Sequence, residues 1–120
     1  DIALGLLTGN WERGGRIKIG RFDLNRYFPF GSFGDDAMDR NDLPPIALER
    51  ASVTHGREFA ARNTVIVGDS LLDVECAKTH GIRCLAVATG KTDPAELAAE
   101  KPEWLVEDLA GAAGHPAFGQ

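Results

Sequence analysis

The sequence is poor in cysteine, with two in 120 residues, and has one methionine and one tyrosine. Two cysteines exclude a disulfide framework and suit a reducing compartment, so a cytoplasmic location is expected. No apolar run approaches the roughly 20 residues of a membrane-spanning helix. No basic segment followed by an apolar one opens the chain, so no signal peptide is expected. The formal net charge is −5, from 18 acidic and 13 basic residues. That balance argues against broad nucleic-acid binding and against anionic membrane surfaces.

What is present is a strong alternation of apolar runs and helical patterns. Ala3-Leu-Gly-Leu-Leu7 reads as a buried strand ended by the turn cluster Thr8-Gly9-Asn10. Residues 11–21 suit a helix weakened by Gly14-Gly15, and 28–33 suit a short strand beginning at Pro29. An acidic loop, 34–42, precedes a helix from Leu43, with Asp42 as its expected cap and Pro44 and Pro45 in its first turn. Residues 64–68 are β-branched and apolar, a strand signal. Asp69-Ser70 then leads into a helix with Leu71, Val74 and Ala77 on one face and Gly81 at its end. Residues 83–88 and 104–106 read as strands, separated by a helix opened by Asp93-Pro94-Ala95-Glu96. The expected fold is therefore α/β, a Rossmann-like parallel sheet with helices on both faces, spanning 1–110, with 111–120 a tail.

Ligands of such sheets bind at the carboxyl ends of strands, which singles out Thr8, residues 35–40, Asp69, Asp73 and residues 89–92. Asp69 leaves the end of an apolar strand and Asp73 lies one helical turn later. Two carboxylates so placed can hold Mg²⁺, which takes hard oxygen ligands. Local sequence equally allows Asp69 or Ser70 to cap the helix, with Asp73 a solvated first-turn acid. Thr8, with the backbone of Gly9 and Asn10, can bind a phosphate oxygen or form an ordinary turn. Arg40 can neutralise phosphate or pair with Asp36, Asp39 or Asp42.

Other signals carry less. Gly90-Lys91-Thr92 lacks the glycine that a P-loop needs five residues earlier, where Leu85 stands. Cys76 and Cys84 have no zinc-ligand spacing and suit buried sites. His55, His80 and His115 are dispersed, and the basic stretch Arg13, Arg16, Lys18, Arg21, Arg26 suits a solvated helix face.

Taken in order, Leu-Leu-Thr8-Gly-Asn10, Arg40 and Gly68-Asp69-Ser-Leu-Leu-Asp73 resemble the second, third and fourth motifs of the haloacid dehalogenase (HAD) superfamily, in particular its phosphoglycolate-phosphatase-like branch. The resemblance runs from about residue 3 to about residue 110. It implies a Mg²⁺-dependent phosphomonoester hydrolase acting on a small phosphorylated metabolite. Thr8, Gly9 and Asn10 would bind phosphate, Arg40 would orient nucleophile and phosphate, and Asp69 and Asp73 would hold or position Mg²⁺. Two departures stand out. Arg replaces the family's usual Lys at position 40, and no Asp-x-Asp, the family's nucleophile and general acid, occurs in these 120 residues.

In the family that motif sits on a central strand between the Thr8 and Asp69 strands. The chain is therefore expected to be a fragment, without its cap and inactive alone, whose central strand comes from a missing N-terminal segment of the same protein. The opening at Asp1, without a methionine, fits that expectation. A non-catalytic α/β binding module and a metal-independent haloacid dehalogenase are the alternatives.

Overall fold

The computed structural model describes residues 2–110 and 115–118. Most of the proposed tail, 111–114 and 119–120, and the opening Asp1 lie outside the described residues. The chain forms two compact units, Asp1–Ala60 and Ala61–Gln120.

The first unit contains β1 (Gly5–Leu7), α1 (Glu12–Gly20), β2 (Phe30–Ser32) and α2 (Leu43–His55). β1 and β2 pair in parallel, Gly5 opposite Phe30 and Leu7 opposite Ser32. The expected first strand is shorter at its amino end, and α1 forms despite its paired glycines. Gly15 is buried, with Thr8 Cγ2 and a Phe33 ring carbon each 3.7 Å from where its Cβ would stand. Packing thus offsets the low helix propensity of glycine there. Trp11 offers α1 no side-chain cap; the carboxylate of Asp35, 23 residues away, accepts from Glu12 N at 3.2 Å instead.

Asp42 does not cap α2 as expected. The chain enters that helix through a 3₁₀ turn, Arg40–Asp42, so Asp42 already has helical backbone angles (φ −90°, ψ −7°). Capping moves upstream to Asp39, which is extended and accepts from Asn41 N at 2.9 Å. Ser32, fully buried at the end of β2, donates to Leu43 O at 2.8 Å and ties strand to helix. Phe33, Leu43 and Ala51 are buried and form this unit's apolar interior.

The second unit contains β3 (Val65–Gly68), α3 (Leu71–Thr79), β4 (Arg83–Val87), α4 (Pro94–Ala99) and β5 (Trp104–Val106). Its sheet has order β3-β4-β5, all parallel, each strand joined to the next through a helix. Val74, Cys76, Ala77, Leu85, Ala86 and Leu97 have no exposed surface and form its core. α3 ends in a Schellman motif. Gly81 takes φ +67°, Ile82 N donates to Ala77 O at 2.8 Å, and Gly81 N to Lys78 O at 3.3 Å. Asp93 caps α4 through Ala95 N at 2.9 Å, with Pro94 in the first turn as expected. Pro116–Phe118 form a 3₁₀ turn in which Ala117 is buried.

The α/β class and parallel pairing hold in both units, and the five strands among the described residues form two sheets, as expected for a core whose central strand is missing. Among the described residues β1 has β2 as its one partner and β3 has β4, so each keeps one open edge. Val67, on the apolar strand β3, is 42% exposed. No helix among the described residues is long and apolar enough to cross a membrane.

Candidate functional site

In the second unit, β3 runs straight into the loop that holds both candidate carboxylates. Ser70 is the N-cap of α3 and forms a capping box with Asp73. Asp73 N donates to Ser70 Oγ at 3.3 Å, while Asp73 Oδ2 accepts from Ser70 N at 3.1 Å and Ser70 Oγ at 2.9 Å. The alternative in which Ser70 caps the helix is therefore realised. A solvated Asp73 is not, because Asp73 is only 6% exposed. Its carboxylate rests over Gly68, where any Cβ would occupy the same space.

Asp69 is exposed, and its carboxylate lies against Gly90, where a Cβ would again collide with it. The two carboxylates thus leave the end of β3 toward different neighbours. Asp69, Ser70, Thr89, Gly90, Lys91 and Thr92 line an open cleft of about 510 Å³. The segment 89–92 fails as a P-loop yet forms the wall opposite Asp69. Among the described residues no cluster of three metal-ligating side chains occurs. Asp69 and Asp73 are nonetheless hard oxygen donors. Mg²⁺ needs only one or two protein carboxylates when waters and substrate phosphate complete its shell, so the donor set fits that ion.

Behind this loop lie two buried thiols, Cys76 and Cys84, neither in a disulfide. Burial, reinforced by Asp73 and Cys76, pushes the Cys84 thiol up to about 12. It stays protonated and unreactive at neutral pH.

In the first unit, Thr8, Gly9, Asn10 and Arg40 come together. Thr8 N donates to Ser32 O at 3.2 Å, continuing the strand pairing by one residue. Thr8 Oγ1 accepts from Asn10 N at 3.1 Å, which leaves the hydroxyl proton to be donated elsewhere. Arg40 reaches this turn: a Cβ on Gly9 would stand 3.6 Å from Arg40 Nη1. The loop after β2 closes on the same turn, with Gly34 N donating to Asn10 O at 2.7 Å. A hydroxyl, a tight turn and a guanidinium at one strand end are donors suited to an anion.

Asp36, one of the partners considered for Arg40, is engaged elsewhere. It makes a two-pronged ion pair with Arg50, at 2.7 Å and 2.8 Å, and accepts from Phe33 N at 2.9 Å. The Arg50 hydrogen bonds outweigh the opposing effect of burial and hold the Asp36 carboxyl below its ordinary range. The basic stretch on α1 is exposed except at Arg16. That guanidinium stacks over Phe33 and donates to Phe28 O at 2.6 Å, so it belongs to the fold rather than to a solvated face.

Comparison with known proteins gives the family. The HAD-hydrolase-like family model matches residues 40–112. Phosphoglycolate phosphatases of Pseudomonas fluorescens and Pseudomonas syringae are 29% and 30% identical to it, over 90% of this chain and 39% of theirs. The chain thus spans about two fifths of the length of these curated relatives. A haloacid dehalogenase-like hydrolase family protein from Streptococcus pneumoniae superposes with TM-score 0.77 at 19% identity, covering 94% of this chain and 51% of that one. That likeness concerns the fold.

Proposed function

The chain belongs to the HAD-hydrolase-like family, and from that premise we propose that it forms part of the core of a Mg²⁺-dependent phosphomonoester hydrolase. Its substrate is a small phosphorylated metabolite. The observation that carries this proposal is the end of β3, where Gly68 makes room for Asp73 and Gly90 makes room for Asp69. The names of the curated relatives support phosphate-ester chemistry.

Hydrolysis of a phosphomonoester breaks the bond from phosphorus to the ester oxygen and builds negative charge on the equatorial oxygens. Thr8 would donate its hydroxyl proton to one of those oxygens, with the Gly9 and Asn10 backbone beside it. Arg40 would hold the phosphoryl group against this turn and offset its charge. Arg in place of the family's usual Lys keeps the charge and adds a planar fork. Asp69 would hold Mg²⁺. Asp73, with one oxygen committed to the helix cap, would position the Asp69 loop and add negative charge. Mg²⁺, when bound, would screen phosphate from an incoming carboxylate.

No Asp-x-Asp occurs in these 120 residues, so the nucleophile and general acid would come from a segment outside them. The open edges of β1 and β3 are where a further parallel strand could pair. The coverage of the relatives, 39% of their length, accords with such a segment. A cytoplasmic setting accords with two buried thiols outside any disulfide.

The test is hydrolysis of an aryl phosphate with Mg²⁺ and with chelator, by this chain and by a chain extended to include an Asp-x-Asp segment. We expect no turnover from the former and Mg²⁺-dependent turnover, lost in Asp69→Ala, from the latter. Activity that survives chelator would favour a dehalogenase-type mechanism. An inactive extended chain in which Asp69→Ala alters only stability would favour a binding module.

A further inference from the structure

Arg40 sits at the tip of a closed loop. Upstream, the loop after β2 is fastened at Asp36; downstream, Arg40 continues through a 3₁₀ turn into α2, which carries Arg50. Arg50 and Asp36 close the ring between them. Arg50 Nη1 donates to Asp36 Oδ2 at 2.7 Å and to Gly31 O at 2.9 Å, and Nη2 donates to Asp36 Oδ1 at 2.8 Å. One guanidinium therefore fixes the loop to the helix and both to β2. The other bonds of the loop are lighter: Asp35 and Asp39 are exposed and each accepts one backbone N–H, from Glu12 and Asn41. Inside the ring, Gly34 packs onto the Gly9 carbonyl so closely that a Cβ on Gly34 would overlap it.

We propose that Arg50 and Asp36 are positioning residues, whose ion pair sets Arg40 and the Gly34 loop against the Thr8-Gly9-Asn10 turn. The role as a phosphate cradle rests on the function proposed above. The geometry of the ion pair needs the planar fork of arginine. Lysine keeps the charge but cannot make two parallel bonds to one carboxylate while also reaching Gly31 O. The pair would therefore be sensitive to Arg50→Lys, whereas a simple surface ion pair would tolerate that change.

The test uses the 120-residue chain, labelled with ¹⁵N, as wild type, Arg50→Lys and Asp36→Asn. Amide spectra are recorded alone and during titration with inorganic phosphate. In both variants we expect the signals of β3–β5 to stay in place, and those of Gly9, Asn10, Gly34 and Arg40 to move without phosphate. We also expect phosphate to bind about fivefold more weakly, with the double variant no worse than either single one, as for two members of one interaction. A pair that served stability alone would lower the melting temperature of Arg50→Lys and leave those four amides unmoved, which would overturn the proposal. If the wild type takes up no phosphate at Gly9 and Asn10, the cradle assignment fails. The phosphate-free shifts still decide the positioning role. Should Arg50→Lys unfold the first unit, Asp36→Asn decides by the same signals.

Discussion

In residues 61–120 the polar groups at the strand ends are held by their neighbours in sequence. In residues 1–60 several of them are held from far along the chain as well. Asp73 is fixed by Ser70, three residues away, and α3 stops at Gly81 through bonds to its own last turn. By contrast, the Thr8 turn is closed by Gly34, α1 is capped by Asp35, and the segment carrying Arg40 is closed by the Asp36–Arg50 pair. The difference teaches that one strand-end site can be built as a local motif and another as a tertiary assembly. The first should break with one side chain, and the second should loosen by degrees.

The largest expected effect is at Gly68. A methyl group there must displace the Asp73 carboxylate, so Gly68→Ala should cost roughly 2 kcal/mol by overpacking and disrupted capping. Chemical denaturation of the second unit would check it, and a change below a few tenths of a kcal/mol would contradict the close approach. Ser70→Ala comes next. It removes one half of the capping box and should cost about 1 kcal/mol. Asp35→Ala sharpens the contrast, because its cap on α1 is long-range and solvent-exposed. We expect a loss of about 0.5 kcal/mol, at the lower end for a helix cap, with faster amide exchange at Glu12.

The smallest effect is one of pH. Arg50 holds the Asp36 carboxyl below its ordinary value of 3.8. The folded state therefore binds a proton at Asp36 less readily than the unfolded state does. The contribution is present above the ordinary carboxylate pKa and is lost as pH falls through the lowered one. Acid unfolding of wild type and Asp36→Asn should therefore differ in pH dependence only below about pH 4. A difference that persisted as a slope through neutral pH would point to another group.

The same contrast explains what the amino-acid sequence discloses. The order of elements, Asp93-Pro94 at the start of α4, and Gly81 at the end of α3 follow from residues within one turn of each other. The Ser70–Asp73 box is equally local, although sequence alone left it level with a metal-binding pair. The Asp36–Arg50 pair is invisible without tertiary structure, because several acids near Arg40 are equivalent in sequence and only folding selects one. Asp42 was a reasonable cap by residue type and failed because a 3₁₀ turn places it already inside the helical region. Gly15 lowered the helix expectation for residues 11–21 by propensity, while its contacts with Thr8 and Phe33 arise only in the folded unit. Thr8 and Arg40 follow strands in sequence, and the fold brings them to one turn with Gly9 and Asn10.

The most direct test of the functional account is a Mg²⁺ titration of the ¹⁵N-labelled 120-residue chain, alongside Asp69→Asn. The account predicts that the amides of Asp69, Ser70 and Gly90 shift with Mg²⁺ in the wild type and stay still in the variant. A wild type without shifts at those positions, or a variant that shifts equally, would contradict it.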